Sequence, residues 1–275
     1  YLRHNIDLSK EPLEISVSVQ HNNGGLKGNI WWESDLKHLF PVGEVNGSHG
    51  VYRPGGSALN SGQVGGSRAA YYISKRYSDP PPENKDFTHA SESSLIEILS
   101  LAAAWFENKR EDCIKPAAIL RIIRERMSES GGIIRNKNKV EEAAGDAWKL
   151  WHSVDGLLSA SSVGELADAF RAREHCLTHL VYLEAIKKYI SGGGRSRGSY
   201  IVSDKKGSKP LKDLEEMFSF SLCRYDRKIE NHILEIKMVK GNILSELRQV
   251  RPIPRQDLWF EKVWRQNIED KIAGG

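Results

Sequence analysis

Apolar and polar positions follow different periods along the chain. Near the start, "NIDLSKEPLEISVSVQ" alternates Ile15, Val17 and Val19 with Ser16 and Ser18, the period-two pattern of a half-buried strand. In "LKHLFPVGEVNG", residues 39–42 form a short apolar run that predicts a second, buried strand ending at Gly43 and Glu44. "GGSALNSGQVGGSRAAYYISKRY" predicts a glycine-rich turn feeding a helix. From about residue 91 to residue 190 the period is helical. "SSLIEILSLAAAWFENKR" carries apolar residues at helical spacing over 95–106, and Pro116 stands where a helix starts. "NKNKVEEAAGDAWKLWHSV" follows Gly131 and Gly132, and "VGELADAFRAREHCLTHLVYLEAIKKYI" predicts one long last helix. Short connections between such helices predict an antiparallel bundle. The chain then breaks at "SGGGRSRGSY", and beyond a polar loop "HILEIKMV" and "ILSELRQVRPI" flank "KGN" as a β-hairpin.

The expected fold is therefore mainly α with short β segments. A first segment, residues 1–78, is joined by a proline-rich linker, 79–90, to a helical bundle, 91–200, and a C-terminal extension with the hairpin, 201–275. The linker "YSDPPPENK" reads as a stiff, exposed connection. Trp148 and Trp151 stand one helical turn apart and read as packing residues.

Composition narrows the function classes. At 275 residues and 39% hydrophobic, the chain can bury a sizeable core. The net charge of +4 is spread through helices in which both signs interleave, a solvated surface rather than a nucleic-acid face. Cys113, Cys176 and Cys223 stand far apart, which fits neither a disulfide framework nor a zinc site and points to a reducing cytoplasm. There is no apolar run long enough to cross a bilayer. The chain opens on Tyr1 and moves straight into a strand pattern, which reads as part of something longer.

The densest chemistry lies in residues 20–70, where glycines gather beside Trp31, Trp32, His21, His49 and Arg53. Glycine weakens helices and strands, so the cluster marks backbone that takes positive φ or approaches something closely. The small residues Gly62, Gly65, Gly66 and Ala69 would let the following helix sit against a sheet or a ligand. Its N-terminus suits an anionic or carbonyl-rich ligand. A ligand-binding turn and close helix packing without a ligand both remain open on these residues alone.

Four pieces in order, "NNGG", "GEVNGSHGVYRPGGSAL", "RMSESGGIIRNKNKVEEA" and "RSRG", resemble the carboxyl-terminal half of the flavoproteins typified by succinate dehydrogenase, fumarate reductase and L-aspartate oxidase. The resemblance implies the remnant of an FAD-binding α/β domain followed by the bundle and hairpin. It also implies FAD as cofactor. The GxGxxG turn that opens such flavoproteins does not occur here, so the FAD site is expected to be incomplete in this chain and completed by a missing N-terminal half or a partner subunit.

The resemblance carries over residue by residue. Gly43 and Glu44 match the family's "GE" step, whose carboxylate accepts hydrogen bonds from the flavin's ribityl hydroxyls, although a loop carboxylate is the plainer reading. Gly55 and Gly56 match a backbone that approaches the flavin ring. Ser57, Ala58 and Leu59 fall where the family usually has Asn-Ser-Leu, a turn whose N–H groups face the pyrimidine edge of the ring. Arg53 matches an arginine lying against a substrate carboxylate, with a bridge between two loops as its structural alternative. His49 belongs to the same lead-in and either orients the loop or touches substrate. The family's second histidine falls on Gln20 by count, with His21 one residue late, so either serves. In "RSRG", Arg195 and Arg197 resemble a bundle-end arginine motif that anchors structure or reaches the site.

These matches imply a flavin-dependent oxidoreductase that passes a hydride between FAD and a small carboxylate-bearing substrate, cytoplasmic or peripheral to a membrane through a partner, and inactive as these 275 residues alone. The alternative is a non-catalytic assembly module that docks electron-transfer partners. No nucleic-acid partner is expected.

Overall fold

The structure is a computed structural model that describes residues 1–13, 24–47, 56–197, 200–221, 229, 231–250, 262–266 and 269. The strand expected around Ile15, Val17 and Val19 lies outside the described residues. Five α-helices run in order: α1 (Ser57–Arg76), α2 (Asn84–Glu107), α3 (Pro116–Arg126), α4 (Lys137–Leu157) and α5 (Val163–Ser191). The described strands are β1 (Ile134–Arg135), β2 (Ile201–Ser208), β3 (His232–Val239) and β4 (Asn242–Gln249). The chain forms two compact units, Tyr1–Ala104 with Arg197–Tyr200, and Trp105–Ser196 with Ile201–Gly275.

In the first unit, residues 24–47 lie against α1. Residues 39–42 do not form the expected strand: no ladder partner reaches them, Pro41 lacks an N–H to donate, and Phe40 instead turns its ring to Tyr72 and Tyr77. A parallel bridge between Leu26 and Asn46 is the local pairing, with Leu26 N–H donating to the Val45 carbonyl at 2.8 Å and Gly47 N–H to the Leu26 carbonyl at 3.1 Å. The approach leaves no room for a side chain at Gly25, where a Cβ would lie 2.2 Å from the Val45 oxygen. On α1, a Cβ at Gly65 would lie 2.8 Å from the Trp32 indole, so that ring occupies the notch the glycine leaves. Trp31 stacks on Tyr72 with centroids 5.6 Å apart, and the Arg68 guanidinium lies 4.9 Å from the Trp31 ring centre.

The second unit is built on α3, α4 and α5 with the last turn of α2. Each helix has a local reason to begin where it does. Pro116 opens α3 with φ already set, the Asn136 side chain accepts from the N–H groups of Asn138 and Lys139, and Ser162 Oγ accepts from Glu165 N–H. Glu165 in turn accepts from Ser161 N–H and from Lys115, and these bonds hold its carboxyl below the usual range. The core contains Ala143, Ala144, Ala147, Leu180 and Leu183, with Trp148, Trp151, Met238 and Ile243 packed on them. Alanine on the facing turn of α4 lets α5 approach closely. Trp105 is fully buried, packs edge-on to Phe170 at 4.8 Å, and donates its indole N–H to the Asp155 carbonyl at 2.9 Å. Trp148 likewise donates to the buried Glu184 carboxylate, which Lys187 also meets at 2.8 Å.

Between α3 and α4 the chain makes a single π-turn, Met127–Gly131, and then β1, which pairs in parallel with β2 in the register Ile134↔Ile201 and Arg135↔Val202. Arg135 donates to the carbonyls of Gly131 and Gly132 and closes that turn. The hairpin forms as expected, with β3 antiparallel to β4. Its two-residue turn, Lys240 and Gly241, takes positive φ at both positions, 48° and 77°, as a type I′ connection requires. Among the described residues no helix is long and apolar enough to cross a membrane, and no cluster of metal-ligating side chains occurs. Cys113 and Cys176 are free thiols, and burial pushes the Cys176 thiol up to about 11.

His179 links this packing to pH. It is buried in α5, with Nδ1 against the His175 carbonyl at 3.1 Å and Nε2 against Arg126 Nη1 at 3.2 Å, an arrangement that suits the neutral ring. Burial lowers its pKa, and the Arg126 charge adds to that. The unfolded chain therefore takes up a proton that the folded one resists. Stability is expected to be fully present above about pH 6.5, the ordinary histidine value, and to fall as the pH drops towards the lower folded value. Chemical denaturation across pH 7.5 to 5 checks this, and His179→Gln should flatten the dependence.

Gly65 and Gly66 separate the two uses of glycine in α1. Gly65→Ala must displace the Trp32 indole and is expected to lower stability by about 1 to 3 kcal/mol, as overpacking does. At Gly66 no described atom lies within 4 Å of an added Cβ, so Gly66→Ala should stabilise by up to about 1 kcal/mol through helix propensity. Denaturation midpoints followed by tryptophan fluorescence distinguish them.

Candidate functional site

Of the residues expected to meet substrate, Gln20, His21, His49 and Arg53 all lie outside the described residues, as does Gly55. The remaining ones converge. Gly43–Val45 forms one 3-10 turn, and Gly43 has φ +77°, a left-handed conformation that strains any residue with a Cβ. Glu44 stands exposed in that turn. Gly56 is the N-cap of α1, and Ser57, Ala58 and Leu59 form the helix's first residues, with Leu59 76% exposed.

The turn and the helix meet at Gly62, where a Cβ would stand 3.6 Å from the Gly43 Cα. The "GE" step and the first turns of α1 are thus neighbours, although eleven or more residues separate them in sequence. Gly56 has no side chain to cap the helix, and no acidic residue lies in its first turn. Backbone N–H groups and the positive end of the helix dipole set the field there. That field favours a carbonyl edge or an anion.

The backbone at this place fits a flat, carbonyl-bearing ring such as a flavin's. No described atom lies within 4 Å of where a Cβ would stand on Gly43 or on Gly56, so both glycines leave their outer faces open. The glycine cluster consequently has two uses. Gly25, Gly62 and Gly65 are occupied by the protein's own backbone and by Trp32, whereas Gly43 and Gly56 face space.

One residue of the site region carries no sequence signal. Glu33 is only 9% exposed and accepts the Tyr77 hydroxyl, together with His38 N–H at 3.2 Å. The Tyr77 bond holds the Glu33 carboxyl below its ordinary range and pushes the Tyr77 hydroxyl up. Glu33 and Tyr77 are 44 positions apart, and neither belongs to a recognisable spacing. For "RSRG", Tyr189 donates to the Arg195 carbonyl at 2.9 Å, and Arg197 N–H donates to the Tyr200 carbonyl at 2.9 Å.

No family profile matches the chain. The large flavoprotein-type chain of a fumarate reductase (CoM/CoB) from Methanothermobacter marburgensis is 30% identical over 213 residues, which covers 77% of this chain and 35% of that protein. An uncharacterized FAD-dependent oxidoreductase of Methanocaldococcus jannaschii is 28% identical over 206 residues, 74% of this chain and 35% of that protein. The chain thus spans about a third of the length of these curated relatives. Among solved structures, FrdA of E. coli quinol fumarate reductase superposes with a TM-score of 0.68 at 18% identity, covering 92% of this chain and 41% of that one. A Mycobacterium smegmatis Sdh1 complex gives 0.56 at 21% identity, covering 80% and 34%. Sequence and fold agree: the chain belongs to the fumarate reductase and succinate dehydrogenase flavoprotein family and has the fold of its carboxyl-terminal region.

Proposed function

We propose that this chain supplies the flavin-edge and substrate-facing part of an FAD-dependent oxidoreductase acting on a small carboxylate-bearing substrate. The observation that carries this reading is the seating of the Gly43–Val45 turn on α1 at Gly62, in a chain 30% identical to part of a fumarate reductase. FAD, when bound, supplies the hydride chemistry. The chain's own part is to bind and to polarise. Glu44 is placed to accept hydrogen bonds from polyol hydroxyls, and the N–H groups that open α1 at Ser57, Ala58 and Leu59 favour negative charge on a ring carbonyl. Arg53 offers the paired donors that grip a carboxylate. His49 and whichever of Gln20 and His21 faces the substrate orient it. The pyrophosphate-binding unit is assigned to sequence outside these 275 residues or to a partner subunit, and these residues alone are expected to be inactive.

The docking alternative has one observation in its favour. On α2, Leu95, Ile96, Ile98 and Leu99 are all about half exposed or more. An apolar row of that kind is normally covered.

Protein purified from its native source should show flavin absorption bands, and a colourless, flavin-free preparation would favour the docking module. In that flavoprotein, Glu44→Ala should weaken flavin retention more than substrate affinity, measured by flavin release on dialysis alongside substrate titration. Arg53→Lys keeps the charge but loses the planar fork. With about 1.5 to 3 kcal/mol in a hydrogen bond to a charged group, kcat/KM should fall roughly ten- to a hundredfold at unchanged flavin content. Steady-state kinetics decide it, and parental turnover would assign Arg53 to loop bridging.

A further inference from the structure

Glu33 is the buried charged group in the first unit that the proposed function leaves without a role. Its carboxylate lies at the far end of α1 from the Gly43 contact. It accepts the hydroxyl of Tyr77, the C-cap of α1, and the backbone N–H of His38. The His38 ring sits on the Tyr77 ring with centroids 4.1 Å apart, and His38 takes φ 67°, a left-handed bend that a residue with a side chain adopts at a cost. The bend is therefore held, and Glu33 is what holds it. Asn29 prepares the carboxylate's position, its side-chain oxygen accepting from the N–H groups of Trp31 and Glu33.

The chain leaves this anchor at His38 and reaches the second one at Gly43, beside Gly62. Gly62 and Tyr77 are separated along the helix by about 22 Å at 1.5 Å per residue. The five steps from His38 to Gly43 span at most about 17 Å when fully extended. The remainder is within the reach of the Tyr77 side chain, so the segment has no slack. Pro41 within it stiffens it further.

We infer that Glu33 is a positioning residue: through Tyr77 and the His38 backbone it holds residues 38–43 taut along α1 and thereby fixes where the Gly43–Val45 turn meets that helix. The consequence for FAD rests on the proposed function, because that turn carries Glu44. A taut segment transmits the loss of one anchor to the other, whereas a slack one absorbs it. The Glu33 carboxyl is held below its ordinary range and the Tyr77 hydroxyl above its own, which keeps the acceptor charged and the donor protonated at neutral pH.

Tyr77→Phe and Glu33→Gln in the intact flavoprotein test this, the first removing one hydroxyl and the second only the charge. Two readouts apply: amide exchange at Leu26, Asn46 and Gly47, whose N–H groups lock the turn, and FAD affinity by fluorescence titration of the apoprotein. Both variants should speed exchange at those three amides and weaken FAD binding roughly tenfold, the scale of one hydrogen bond to a charged group. The double variant should lose no more than the worse single one, since both act through one link. Exchange at the parental rate in Tyr77→Phe, even with a lowered melting temperature, overturns the inference and reduces the pair to local stability. Faster exchange with unchanged FAD affinity overturns the positioning role towards the flavin while leaving the proposed function standing. A parent that binds no FAD removes the proposed function itself and this inference with it.

Discussion

The contact between Gly25 and the Val45 carbonyl is the constraint on which the first unit depends. A Cβ at Gly25 would stand 2.2 Å from that oxygen, so the two segments can touch only as bare backbone. Once they do, Leu26 and Asn46 pair, Gly47 closes the bridge, and the Gly43–Val45 turn is fixed between them. The same turn lies on α1 because Gly62 has no side chain, and the preceding loop lies on α1 because Gly65 admits Trp32. The glycines thus convert a loop, which would ordinarily carry high conformational entropy, into a platform of defined geometry. Function is assigned to the two positions where such a glycine meets nothing of the protein, Gly43 and Gly56.

The second unit is stabilised differently. Its helices bring large aromatic side chains inward and match each polar atom those rings carry: Trp105 with the Asp155 carbonyl, Trp148 with Glu184, His179 with Arg126 and the His175 carbonyl. Burying an indole N–H or an imidazole without such a partner would cost about 1 to 3 kcal/mol each. The hairpin gains its stability from α5, through Met238 and Ile243 packed on the bundle core, since an isolated two-stranded sheet is marginal in water.

How far the sequence reveals this depends on the range of the interactions. Pro116 as a helix start, the long α5, the glycine-rich entry to α1 and the Lys240 and Gly241 turn are all local, and each was legible from a few adjacent residues. Residues 39–42 show the limit. Their apolar run reads as a strand, but Pro41 and the aromatic face of α1 turn it into an unpaired strap. β2 reads as polar loop because "IVSDKKGS" has few apolar residues, and its pairing with β1 is decided by a chain segment some seventy residues away. Glu33 is invisible for the same reason, a lone carboxylate whose partner is 44 positions distant. In the candidate site, the approach of Gly43 to α1 agrees with the motif reading, while the four residues expected to face substrate fall outside the described structure.

The central claim is that the Gly43–Val45 turn and the opening of α1 together form one face of a flavin site. Hydrogen exchange of the intact protein with and without FAD tests it most directly. The account predicts that FAD slows exchange together in two peptides, one covering residues 43–47 and one covering 56–60. FAD bound with both peptides exchanging at their unliganded rates would contradict it, because a ligand seated on those N–H groups cannot leave them as open to solvent as before.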